Sequence, residues 1–112
     1  LPHTACSGLT IWIDGKGINC LGWFSHGGLV LSFLPEHGTL CLGLYIADVE
    51  DAVASKVIHE DGSTTVNLLL REEILEEDGK QRMLTLCCPS ELMGRVLLER
   101  IRHAITWVSG AI

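Results

Sequence analysis

The chain has 112 residues, 47% of them hydrophobic and 20% charged, with 14 acidic against 8 basic side chains and a net charge of −6. That length and apolar fraction imply one globular domain with its own core and argue against disorder. An acidic chain repels phosphate backbones and anionic bilayers on average, and the scattered Arg95, Arg100 and Arg102 make no basic patch, so nucleic acid is excluded as a partner.

In chain order, residues 1–7 read as a ragged lead-in. Leu9 to Ile13 alternates and is rich in β-formers, which predicts a first strand. Asp14-Gly15-Lys16-Gly17 is a turn whose two glycines suit positive φ, and Ile18 to Phe24 follows as a second strand. Ser25-His26-Gly27-Gly28 turns the chain into a third strand, Leu29 to Leu34. Pro35 to Gly38 turns it again into a fourth, Thr39 to Ile46. Four strands at about ten-residue spacing form a meander, the pattern of an antiparallel sheet or barrel.

Asp48 to Ile58 supports two readings. Val49, Val53 and Val57 recur at every fourth position behind a capping Asp48, which suits a short helix. The preferred reading is a strand end, a bend and a short fifth strand over Ser55 to His59. Thr64 to Ile74 is strongly extended, and Glu76-Glu77-Asp78-Gly79-Lys80 closes a hairpin onto Arg82 to Cys87. That acidic tip lacks the alternating ligands and distant Glu of a calcium loop, so it reads as a solvated turn. Pro89 then ends pairing, Ser90 is a helix N-cap, and Glu91 complements the helix dipole. The helix from there to Gly110 is amphipathic, with Leu92, Val96, Leu97, Leu98, Ile101, Ile105, Trp107 and Val108 expected on its apolar side.

The segment order resembles the pleckstrin homology (PH) and phosphotyrosine-binding superfold. Gly43-Leu44-Tyr45-Ile46-Ala47-Asp48-Val49-Glu50 is similar to the fourth-strand segment of PH domains. Arg82 to Glu91 is similar to their last strand and Ser-Glu helix start. The family's usual helix tryptophan is replaced here by Leu97 or Leu98, and Trp107 comes about three turns later. What the resemblance implies is a mainly β fold: a seven-stranded antiparallel PH-like barrel capped by one amphipathic α-helix, spanning residues 1–112 as a single domain. The alternative is an α+β sandwich with a second helix near 48–58. Because residue 1 is Leu, the domain is expected to be part of a longer protein.

The resemblance also implies two ligand classes. Phosphoinositide headgroups would bind a basic pocket between the first, third and sixth interstrand loops, where this chain offers only Lys16 and Lys80 against five acids. The family's paired basic residues on the second strand are missing, so a membrane phosphoinositide is disfavoured by charge. A protein or peptide ligand is preferred. In the phosphotyrosine-binding branch a peptide adds as a strand beside the fifth strand and the final helix, here between Ser55–His59 and that helix. Trp23 and Phe24 beside the Gly27-Gly28 turn are candidate binding aromatics.

No catalytic or metal site is read. Cys88 before a helix start misses the phosphatase spacing, since the required arginine comes one residue late, at Arg95. Cys6, Cys20, Cys41, Cys87 and Cys88 lack a disulfide framework, and adjacent Cys87 and Cys88 face opposite ways on a strand. His37 and Cys41 lack a second ligand pair for zinc. The expectation is therefore a non-enzymatic adaptor module without cofactors, in intracellular signalling or trafficking and located in the cytoplasm, with its oligomeric state open.

Overall fold

Alternating apolar residues and glycine-bearing turns lay down a seven-stranded sheet and one helix. The strands are β1 (Cys6–Ile13), β2 (Lys16–Ser25), β3 (Val30–Pro35), β4 (Leu42–Tyr45), β5 (Val49–Ala54), β6 (Thr64–Leu70) and β7 (Met83–Cys88). The helix is α1 (Glu91–Gly110). The computed structural model describes residues 6–13, 15–38, 40–55, 58–71 and 82–110. The acidic hairpin tip at 76–80, including Lys80, lies outside them.

The strands run antiparallel in the order β4-β3-β2-β1-β7-β6-β5. The sheet curls, because Leu42 and Leu44 at one edge share a cavity with Leu70 and Leu84 near the other. Leu9, Ile11, Leu31, Phe33, Val66, Leu68, Leu86 and Cys88 fill the concave side and are buried. α1 closes one end of this half-barrel, packing chiefly on β5 and on the 3-10 turn Ile46–Asp48. Arg71 pins that turn to the end of β6 by donating from Nε to the Ala47 carbonyl. The architecture is mainly β and PH-like, and the sandwich with a second helix near 48–58 does not form.

The fifth strand is earlier than expected, at Val49–Ala54 and not Ser55–His59. A bulge between Val49 and Asp51 is the cause. It shifts the two-residue alternation so that Val49 and Ala52 both face the core, and Val53, which a helix would have buried, is 42% exposed. Smaller differences follow from pairing. Cys6 and Ser7 join β1 past an irregularity at Gly8, Lys16 and Gly17 are strand and not turn, and β4 shrinks to four residues.

The helix begins where expected: the Met93 N–H donates to Ser90 Oγ at 3.2 Å. Its buried stripe is Gly94, Leu97, Ile101 and Ala104, with Leu98, Ile105 and Val108 half-buried against the core. Leu92, Val96 and Trp107, expected on that side, point outward. Gly94 is required by close approach, since a Cβ there would lie 2.3 Å from Thr64 Cγ2.

Candidate functional site

Three of the hollows on the described surface bear on the ligand classes expected from the sequence. The first is the open end of the barrel, a cavity of about 410 Å³ lined by Trp12, Ile13, Phe33, Leu42 and Met83 among others. Lys16 stands opposite Ile13 at this end and is exposed. Arg82 is the one charged side chain in the described lining. This mouth is apolar, with Trp12, Ile13, Leu42 and Met83 between 36% and 52% exposed.

The second is a hollow of about 370 Å³ between Ala54, Ser55 and Ile58 and the first half of α1, on the side where the sequence places a strand-adding peptide. The exposed pair Glu91–Arg95, 3.2 Å apart, sits on its rim. The neighbouring strand edge is capped. Ser55 donates to the Thr65 carbonyl at 2.8 Å, so alternation turns the amide groups of Ala52 away from β6. There the Asp51 carboxylate accepts the Ala52 N–H at 2.8 Å, and Arg102 Nε donates to the Ala52 carbonyl at 3.1 Å. An added strand would have to displace both side chains, which weakens the strand-addition reading at β5.

The third lies between the β2–β3 hairpin tip and the C-terminal half of α1. It encloses about 500 Å³ and is lined by Phe24, Gly27, Gly28, Glu99, Arg100, His103, Ala104 and Trp107. Phe24 is half-buried and packs on the core, and Trp107 is 53% exposed across from it. Three consecutive left-handed residues, His26, Gly27 and Gly28 (φ 54, 68 and 92°), make the tip. Two glycines take most of that cost and leave the cleft wall without side chains. Ser25 Oγ braces the turn, 3.0 Å from His26 Nδ1 and 2.9 Å from Ser32 Oγ.

Of the sequence-predicted residues, Phe24 lines this cleft. Trp23, half-buried, is the next residue on the strand and belongs to the other face; Lys16 is at the opposite end of β2, and Lys80 is outside the described residues. Sequence reasoning missed Trp107, Arg100 and His103. The signal was available: Arg100, His103 and Trp107 follow one another at three- and four-residue steps, while Leu97, Ile101, Ala104 and Val108 form a separate stripe.

Burial favours the protonated form of three thiols, Cys6, Cys20 and Cys88. Burial pushes the Cys88 thiol up to about 12, helped by neighbouring Cys87 and Cys6. Burial raises Cys20 to about 11, against a backbone hydrogen bond from Ile11 that lowers it. Cys6 is also raised by burial, partly offset by Arg100. All five cysteines are free. Among the described residues no three His, Cys, Asp or Glu side chains gather as a metal site, and no helix is long and apolar enough to cross a membrane.

No protein-family profile and no curated protein matches the chain. Among solved structures, the crystal structure of PLC21 from L. pealei matches 94% of this chain with a TM-score of 0.69 at 12% sequence identity. The matched part is 16% of the PLC21 chain, so this sequence spans a small fraction of that protein's length. At such identity the likeness is one of fold, and it agrees with the sheet order and terminal helix described above: the chain has a PH-like fold.

Proposed function

We propose that this chain is a non-catalytic PH-type interaction module, working in the cytoplasm as an adaptor in signalling or trafficking, and that it takes an apolar anchor of a protein partner between Phe24 and Trp107. The observation that carries the reading is the helix-side cleft of about 500 Å³, lined by two aromatics with glycine and alanine beside them and by the polar side chains of Glu99, Arg100 and His103. Aromatic-walled pockets are where interfaces concentrate their binding energy. Cross-linked capture from cells tests it. The wild-type chain should retain partners that Trp107→Ala loses, with the far-ultraviolet circular dichroism of the variant unchanged. Partners kept in full by Trp107→Ala sink the reading.

The second reading, a phosphoinositide headgroup at the barrel mouth, rests on Lys16 and Arg82 at that end. Co-sedimentation with vesicles with and without phosphatidylinositol bisphosphate separates the two. Inositide-dependent binding that Lys16→Glu abolishes would favour the headgroup.

A further inference from the structure

The sheet has two edges, and they are built differently. The β5 edge carries a bulge, a carboxylate on its outward N–H, a guanidinium on its outward carbonyl, and the helix packed alongside. These are the devices by which proteins stop other strands from adding to a sheet. The β4 edge has none of them among the described residues. Leu42-Gly43-Leu44-Tyr45 holds no charge and no proline.

The hydrogen-bond pattern tells which β4 residues face outward. Ile46 N–H donates to the Leu29 carbonyl at 2.9 Å, one step past the Val30–Tyr45 pair. By alternation Leu44 and Leu42 bond to β3, and Gly43 and Tyr45 turn their N–H and C=O groups to the open edge. The side chains alternate too. Leu42 and Leu44 line the barrel mouth, and Tyr45 is 65% exposed on the outer face.

We propose that β4 is a self-association edge: two copies of this chain pair β4 with β4 antiparallel about a two-fold axis at Leu44, joining two half-barrels through one continuous sheet. A second copy is the occupant that this strand fits because the pattern is self-complementary. In that register Gly43 of each copy lies opposite Tyr45 of the other. Both are outward-facing, so each pair exchanges two backbone hydrogen bonds. On the outer face each Tyr45 ring covers a glycine that has no side chain to displace it, a pairing that protects an edge glycine. On the inner face Leu44 meets its own copy. No like charges oppose each other along the strand, although the whole chain carries −6. Leu42, 38% exposed beside Leu44 on the same face, continues the contact with apolar surface.

A four-residue strand and its flanking side chains fall near or below the ~1,200 Å² lower end of stable interfaces, so half-association is expected at roughly 10–500 µM. Sedimentation equilibrium of the whole chain between roughly 10 µM and 1 mM tests this. The wild type should shift from monomer to dimer. Gly43→Lys should stay monomeric and folded, since a Cβ at position 43 meets only Val30 Cγ1, at an ordinary 3.5 Å. Should that variant fail to fold, the register has its own readout. Leu44→Cys in a Cys41→Ser background, oxidised at high concentration, should give a dimer whose disulfide joins the two introduced thiols. A wild type that remains monomeric throughout, a Gly43→Lys chain that dimerises as well as the wild type, or a dimer lacking that disulfide overturns the proposal. The edge shares no residue with the helix-side cleft, so the two readings stand or fall separately.

Discussion

Gly94 shows how much a single hydrogen atom decides here. The helix sits so close to β6 that Thr64 Cγ2 occupies the space a Cβ would need. Thr64 is buried and β-branched, so it has little freedom to turn aside. Gly→Ala inside a helix ordinarily gains up to ~1 kcal/mol, whereas overpacking costs ~1–3 kcal/mol. Gly94→Ala should therefore lower the unfolding free energy by about 1–2 kcal/mol in urea denaturation. In a Thr64→Ser background the same change should be neutral or stabilising, because the obstructing methyl is gone. An equal loss in both backgrounds would place the strain elsewhere. Trp107 gives the residue-scale lesson in reverse. Its size and its place in a helical pattern read as core, but the rotation of α1 that seats Gly94 on Thr64 carries Trp107 to the outer wall.

Among the elements, α1 is the one that closes the barrel end, and it does so with a few fully buried side chains. Leu97 and Ile101 are 2% and 0% exposed, and each such burial is worth ~1.5–3 kcal/mol. Ile101→Ala should cost about 2–5 kcal/mol, and a chain ending before Ser90 should give no cooperative unfolding transition. A truncated chain with a normal thermal transition would show that the sheet holds without its lid. The helix and most of the strands were legible from sequence because glycine turns, Pro89 and the Ser90 cap mark their ends by local chemistry. β5 was not. Val49, Val53 and Val57 make a helical period, and the bulge that breaks it depends on pairing with the far end of β6, where Val49 meets Leu70 and Asp51 meets Leu69. The capped β5 edge was illegible for the same reason, since Arg102 reaches Ala52 only once the helix has docked.

For the whole molecule, buried thiols set the alkaline limit. Cys20 and Cys88 titrate near 11 and 12 when folded, against 9.0 for a free thiol. Above pH 9 the unfolded chain releases protons that the folded chain retains, so stability should fall as pH rises from about 9 toward 12. Denaturation midpoints should be level between about pH 7 and 8 and decline above about 9. Cys20→Ala together with Cys88→Ala should flatten that decline. A decline unchanged in the double variant would assign it to other groups. At neutral pH the same burial predicts that a thiol reagent modifies exposed Cys41 first and Cys88 only on unfolding. The helix-side cleft and the β4 edge share no residue, so the proposed partner and the proposed second copy would not compete for one surface.

The pairing of β1 has a consequence for how the protein is made. β1 lies between β2 and β7, and Thr10 is matched with Cys87. During synthesis the β1–β2 hairpin emerges early, yet its other flank stays open until β7 leaves the ribosome, and the barrel end stays uncovered until α1 follows. Leu9 and Ile11 are thus unshielded while the residues from β3 to α1 are being made, and in that interval their exposed surface is open to non-native association.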